Sequence, residues 1–346
     1  MDSSRFRLPA EWEPQAGVII AWPHAATDWA PRLTEIETAY AGLASAIARF
    51  EPLIVCVADA SVRERVTQRL DAAGVPRQRV RFVEAEYDDT WLRDSGPLTL
   101  TDGRDVRLLD FRFTGWGGKF GADRDDRLIE TLIERGLFRG AAHRRIDWAL
   151  EGGAIESDGK GTLLTTWRCL HQRHPEMERD AMTARLIDAF GAQRVLWLDH
   201  GYLEGDDTDA HIDTLARFAP NDAIVFQACE DMADPHYDQL ARMREELTAL
   251  RTLDGKPYQL HALPWPRPIV DADENRRLAA SYANYLVING AVLMPSYGDP
   301  ADARAAEVIG GAHPGREIVK IDARPLIWQN GSVHCLTMQL PAGALA

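Results

Sequence analysis

The reactive chemistry this sequence offers is concentrated in one thiol, one imidazole and three carboxylates. Cys335 lies in Asn330-Gly331-Ser332-Val333-His334-Cys335, a glycine-containing turn entering a strand, where a thiol can be presented at the strand start. Its neighbour His334 would point to the opposite face of that strand, so a proton-transfer partner must come from elsewhere. His211, in Asp206-Asp207-Thr208-Asp209-Ala210-His211-Ile212-Asp213, is the candidate. Read as a strand, this segment puts His211 and Asp213 on one face at i, i+2, an imidazole beside a carboxylate. The plainer alternative is an acidic loop leading into a strand with an incidental histidine. Glu151 opens Leu150-Glu151-Gly152-Gly153, where paired glycines let a ligand approach the backbone beside an acid. Asp94 closes the acidic, aromatic stretch from Asp88 to Pro97, and a turn-capping role for it stays open.

The acids bear on the substrate. A thiol–imidazole enzyme acting on a neutral amide needs oxyanion donors around the carbonyl, and carboxylates would be surplus. A guanidinium group is always cationic and presents a planar fork of donors that carboxylates grip in pairs. Its carbon is a poor electrophile and calls for a strong nucleophile such as a thiolate. Carboxylates close to the thiol oppose its ionisation, so the thiolate is expected to form fully only with a cation bound.

The remaining motifs are quieter. Cys56 sits inside the apolar run Leu53–Val57 and reads as core, and no Cys-x-x-Cys pair is present. His171 and His174 fall in a polar stretch, read as surface, and with no histidine pair at ligand spacing no metal site is expected. Gly115-Trp116-Gly117-Gly118-Lys119 lacks the spacing of a phosphate-binding loop, which excludes nucleotide binding there.

The elements that must position these groups alternate between helical and strand-like periods through all 346 residues. Ile36, Tyr40, Leu43 and Ile47 mark one helix, Leu128 and Leu132 a second, and Met182, Leu186 and Phe190 a third that Gly191 stops. Strands are expected over 18–22, 53–58, 80–85, 106–113, 162–167, 195–198, 223–227, 286–294 and 336–340, giving an α/β chain. With no low-complexity tract or linker, residues 1–346 read as a single domain. Polar strand-end motifs at Asp94, Glu151, His211, Asn284 and Cys335 recur roughly once per supersecondary unit, the mark of a pseudo-repeated ring with its chemistry at the centre.

Composition narrows the partners. The chain is 45% hydrophobic and carries 39 Lys and Arg against 53 Asp and Glu, a formal charge of −14. That balance argues against nucleic acid or an anionic membrane as partner and is compatible with a small cation. The polar N-terminus has no secretory h-region and no apolar run approaches membrane length, so a cytoplasmic location is expected. A homo-oligomer, by default a dimer, is the common form for such enzymes.

Taken in order, Pro9-Ala10-Glu11-Trp12-Glu13-Pro14, Trp91-Leu92-Arg93-Asp94-Ser95-Gly96-Pro97, Trp116-Gly117-Gly118-Lys119, Leu150-Glu151-Gly152-Gly153, Gly205-Asp206-Asp207-Thr208-Asp209-Ala210-His211-Ile212-Asp213, Ala280-Ser281-Tyr282-Ala283-Asn284-Tyr285, Gly298-Asp299-Pro300 and His334-Cys335-Leu336-Thr337 resemble the bacterial agmatine deiminases, of the wider peptidylarginine-deiminase-like group. The resemblance runs from about residue 9 to 341. It implies the pentein fold, an α/β-propeller of five strand-and-helix modules about a pseudo-fivefold axis. It also implies hydrolysis of agmatine to N-carbamoylputrescine and ammonia, without metal or organic cofactor, on a route to putrescine. In that scheme Cys335 is the nucleophile, His211 the general acid and base, and Asp94, Glu151 and Asp213 hold the guanidinium. Trp91 and Trp116 wall the pocket, Gly152 and Gly331 leave room for substrate, and Asp207 faces the distal ammonium. The sequence departs from the familiar pattern at Trp328-Gln329-Asn330-Gly331-Ser332, before the nucleophile, and at Asp209-Ala210, before the histidine. Within the same chemistry a peptidylarginine deiminase or a hydrolase of free or methylated arginine is the alternative, and outside it an idle pentein serving as a binding module.

Overall fold

The computed structural model describes residues 6–346. Five sheets share one design. In the first, Thr337–Pro341, Gln15–Ala21, Leu53–Val57 and Val80–Glu84 lie side by side in that order. The second joins Leu98–Thr101, Val106–Arg112 and Ala142–Ala149, and the third Glu156–Ser157, Thr162–Thr166 and Arg194–Leu198. Ala216–Ala219, Ala223–Gln227 and Gln259–Leu263 make the fourth, and Leu286–Ile288, Ala291–Ser296 and Glu317–Asp322 the fifth. In each, an antiparallel pair is extended by a parallel strand. A parallel neighbour requires a crossover, and helices such as Leu33–Ala48, Arg179–Phe190, Tyr237–Ala249 and Ala301–Ala312 provide it. A two-residue ladder, Val270–Asp271 with Arg276–Arg277, stands apart, and among the described residues no sheet closes on itself.

The apolar periodicity accounts for the packing. Leu33–Ala48 buries Ile36, Tyr40, Leu43 and Ile47, the stripe read from the sequence, against the wholly buried strand Leu53–Val57. Each such side chain contributes about 1.5–3 kcal/mol by leaving water. Arg179–Phe190 stops at Gly191, which takes a left-handed φ of 63°.

Four expectations need correction. The run 286–294 is two strands, not one, because Asn289-Gly290 turns the chain and Gly290 adopts φ of 79°. The segment bearing His211 and Asp213 is no strand. Asp206 takes the backbone N–H groups of Thr208 (2.9 Å) and Ala210 (2.8 Å), which removes them from any ladder, and Ile212–Thr214 form a 3₁₀ turn before the strand at Ala216. His174 is buried, not on the surface: it stacks on Trp148 at 4.4 Å and its Nε2 lies 2.8 Å from the Ala149 carbonyl. Ala142–Ala149, Gln259–Leu263 and Glu317–Asp322 were not anticipated, since as parallel edge strands they keep charged residues and lack a continuous apolar run.

Candidate active site

Short turns, not strand interiors, deliver the reactive side chains. Asp94 is in the helical turn Leu92–Ser95, Glu151 immediately precedes the 3₁₀ turn Gly152–Ala154, His211 immediately precedes Ile212–Thr214, and Cys335 lies in the turn before Thr337–Pro341. These four and Asp213 are all buried. Three of them, His211, Asp94 and Asp213, converge on Gly153. A side-chain carbon there would come within 2.5 Å of His211 Nδ1, 2.9 Å of Asp94 Oδ1 and 3.2 Å of Asp213 Oδ2. The absent side chain is the space these groups surround. Gly152 does something different: the Arg93 carbonyl packs 2.1 Å from where its side chain would start, so it serves close backbone packing and does not open onto a ligand.

Cys335 Sγ accepts a hydrogen bond from Asn284 Nδ2 at 3.1 Å and lies 3.7 Å from Asp213 Oδ2. Asn284 Oδ1 also accepts the backbone N–H groups of His334 and Cys335, clamping the turn that carries the thiol. Burial, followed by the charges of Asp213 and Asp94, pushes the thiol well above its usual range. His211 has no hydrogen-bond partner on either ring nitrogen. Its Nδ1 is 3.7 Å from Asp94 Oδ1 and its Nε2 is 3.7 Å from Glu151 Oε2. Burial disfavours its charged form, but its neighbours, Asp94 foremost, outweigh that and raise the imidazole well above its ordinary value.

The carboxylates are held unequally. Burial pushes Asp94 up to about 6, while it accepts hydrogen bonds from Trp116 Nε1 (2.9 Å) and Gly153 N (3.0 Å). Burial also works to raise Glu151, yet His211 and Arg173 overcome it and keep this carboxyl below its usual value. Arg173 Nε donates to Glu151 Oε1 at 2.7 Å and leaves Oε2 unbonded. Asp213 is depressed in the same way, against burial, by His334, whose Nδ1 is 2.7 Å from Oδ2. Its Oδ1 has no partner.

Asp94 and Cys335 open onto a cavity of about 630 Å³. Trp91, Trp116, Asp207 and Gly331 line it as well. Gly331 is required there, since a side chain would start 2.1 Å from the Trp91 ring. Asp207 Oδ2 accepts from Asn330 Nδ2 at 3.1 Å, and burial raises its carboxyl above the usual value. The wall is acidic, with Asp28, Asp88, Asp89, Asp125 and Glu274, and burial pushes Asp89 and Asp125 up to about 7. Its two described cations are engaged: Lys119 with Asp209 at 2.6 Å, Arg276 with Glu274 at 2.9 Å and Asn330 at 2.5 Å. Arg93 and Arg217 do not line the cavity. Arg217 is buried between Glu11 (2.7 Å) and Glu156 (3.0 Å), and Arg93 donates to Gln339 at 2.6 Å.

Asn284, Arg173 and Cys169 join the site with no role legible in the sequence. Asn284 lies in the motif Ala280–Tyr285 and Gly153 in the paired glycines, whereas nothing local to Arg173 or Cys169 points inward. Glu151, Cys169 and His211 bring one donor atom each within 4.8 Å of one another, all buried. The geometry can place a planar cation among three carboxylates with a thiol and an unpartnered imidazole close by.

Comparison with known proteins agrees with that chemistry. Residues 7–341 match the family of Porphyromonas-type peptidyl-arginine deiminases. Agmatine deiminases from Pseudomonas aeruginosa and Pseudomonas putida are 35% and 34% identical to this chain, over 97% of it and 96% of each relative. Among solved structures, a Porphyromonas gingivalis protein provisionally assigned as an arginine deiminase shares 45% identity, with a TM-score of 0.91 over 99% of this chain and 100% of that one. A C. jejuni agmatine deiminase with substrate bound shares 32%, with a TM-score of 0.89 over 99% of this chain and 97% of that one. This chain belongs to the Porphyromonas-type peptidyl-arginine deiminase family.

Proposed function

We propose that this chain is an enzyme that hydrolyses agmatine to N-carbamoylputrescine and ammonia, on a route to putrescine. The observation that carries this reading is the unpartnered His211 imidazole set among Asp94, Glu151 and Asp213, next to an acidic cavity that Asp94 and Cys335 line. Asp94, Glu151 and Asp213 hold the guanidinium, whose charge offsets theirs. With that cation in place the Cys335 thiol gives up its proton to solvent and the thiolate attacks the guanidinium carbon. The His211 imidazolium protonates one nitrogen, the C–N bond breaks, and ammonia leaves behind a cationic amidino-cysteine. Neutral His211 then takes a proton from water as its oxygen adds to the same carbon. Collapse to the carbamoyl product breaks the C–S bond and returns the thiol and the imidazolium. No step in this sequence calls on a metal or organic cofactor. Trp91 and Trp116 wall the substrate, Gly331 makes room for Trp91, and Asp207 meets the distal ammonium. A substrate carboxylate would meet an acidic wall with both described cations engaged, which favours an amine tail.

The five sheets support a propeller about a pseudo-fivefold axis within one domain spanning residues 1–346. Pairing of Thr337–Pro341 with Gln15–Ala21 brings the two ends of the chain into one sheet, as closing a ring requires. No helix among the described residues is long and apolar enough to cross a membrane. We place the enzyme in the cytoplasm as a homodimer, with no nucleic-acid or membrane partner.

The test is product analysis of purified protein with agmatine, free arginine and a blocked arginine peptide, with Cys335→Ser as control. Ammonia and a carbamoyl product from agmatine, absent in the variant, are expected. Reaction of the peptide instead keeps the chemistry and overturns the substrate. No reaction with any guanidine overturns the enzyme and leaves a binding module.

A further inference from the structure

We propose that Lys119, Asp209 and Arg173 form a positioning link from the cavity rim to Glu151, through which an ammonium held at the rim raises turnover as well as affinity. The inference rests on the proposed function and concerns how its two ends communicate. At the inner end, the Arg173 side chain is fully buried and all three nitrogens of its planar fork donate, Nη1 also to Gln172. Nε donates to Glu151 Oε1 at 2.7 Å, Nη1 to Asp209 Oδ2 at 2.7 Å and Nη2 to the Thr208 carbonyl at 3.0 Å. Gripping one carboxylate oxygen leaves the other, Oε2, unbonded and 3.7 Å from His211 Nε2. Any shift of Arg173 therefore re-aims the carboxylate that faces the acid–base imidazole.

At the outer end, Asp209 Oδ2 is shared: Lys119 Nζ donates to it at 2.6 Å and also to the carbonyl of Asp207. Asp207 and Lys119 both line the cavity. Lys119 follows Gly115-Trp116-Gly117-Gly118, a turn whose four residues all take positive φ, and Trp116 in that turn bonds Asp94. The span between the ends is stiff. Asp209 and Ala210 hold left-handed φ values of 67° and 71°, a conformation that is strained for a residue with a side chain and persists only where contacts over-determine it. Here Asp206 supplies them, bonding both Thr208 and Ala210. A rim displaced by a ligand is thus relayed as a rigid unit to Arg173 and to His211, the next residue. Binding energy from a remote part of the substrate would be spent on alignment at the reacting carbon.

The experiment compares agmatine with n-butylguanidine, which keeps the guanidinium and lacks the amine, on the wild type, Asp209→Asn, Lys119→Met and Lys119→Arg. In the wild type, loss of the amine is expected to lower kcat by about fivefold or more, the low end of ordinary coupling between sites. In Asp209→Asn and Lys119→Met, kcat for agmatine falls toward that for butylguanidine, and the gap closes to about twofold or less. Lys119→Arg, which keeps the cation, restores most of it. Lys119 is partly exposed, so its variants report even if Asp209→Asn fails to fold. A wild-type effect confined to KM, or a kcat gap that survives at full size in the variants, overturns the link while leaving the proposed reaction intact. A wild type that turns over neither guanidine overturns both.

Discussion

Two histidines lie buried in carboxylate-rich surroundings and share Asp213 as a neighbour, yet their environments are opposite in kind. Around His334 the polar groups are saturated. Its Nδ1 meets Asp213 Oδ2 and its Nε2 meets Glu11 Oε2, each at 2.7 Å, while Arg217 joins Glu11, Glu156 and the Tyr285 carbonyl. Around His211 both ring nitrogens, Glu151 Oε2 and Asp213 Oδ1 lack partners. A buried polar atom left without a partner costs about 1–3 kcal/mol, so a fold keeps several together only where something else is meant to bond them. The His334 cluster is a scaffold that fixes Asp213 from behind. On the proposed function the His211 cluster is the reactive half, completed by the guanidinium and the transferring proton.

The sharpest way to break that comparison is to replace each histidine by glutamine. His211→Gln should cost about 10²–10⁴-fold in kcat, the usual worth of a general acid–base group. His334→Gln should instead lower the melting temperature more than His211→Gln does, with its activity loss arising through Asp213. Thermal denaturation and turnover of the two variants check this, and a reversed order of stabilities would undo the distinction. Next in size, Arg217→Met leaves Glu11 and Glu156 buried without their cation and should cost about 3–5 kcal/mol of stability by chemical denaturation. A loss below about 1 kcal/mol would show that the cluster is no scaffold.

The smallest effect is in pH. The folded Asp94 carboxyl sits at about 6, above its usual 3.8, so the native state holds this proton more tightly than the unfolded chain. On this group's account the penalty is absent below its unfolded value, develops between about 4 and 6, and is complete above that. On the proposed mechanism activity runs the other way, because an ionised Asp94 is what grips the guanidinium. The kcat/KM profile for agmatine should fall as pH drops through about 6, by up to tenfold per unit below it. Asp94→Asn should abolish that limb while lowering kcat/KM throughout. A flat profile between 7 and 5 would take Asp94 out of substrate recognition.

Much of the fold class was legible from periodicity. The stripe Ile36, Tyr40, Leu43, Ile47 and the stop at Gly191 need only local chain geometry, and both appear as read. Three of the parallel edge strands, Ala142–Ala149, Gln259–Leu263 and Glu317–Asp322, are illegible because their pairing partner, not their own pattern, makes them strands. Asp213 shows the same limit at the site: its pairing with His211 was inferred from a strand face, whereas a 3₁₀ turn set by Asp206 brings the two together.

By itself the sequence determined the reactive inventory: a thiol entering a strand at Cys335, an imidazole in an acidic segment at His211, and acids flanked by glycines or turns at Glu151 and Asp94. Residue type and local spacing carry that information, because nucleophilicity, proton affinity and the conformational range of glycine are properties of single residues and short segments. Only the tertiary structure decided which groups face one another and which stay unpaired. Asn284 reaches Cys335 across 51 residues, and Glu11 reaches His334 across 323. Whether a buried imidazole is spent on structure or kept for chemistry depends on partners that far away, and burial at close packing is what turns those distant neighbours into its electrostatic environment.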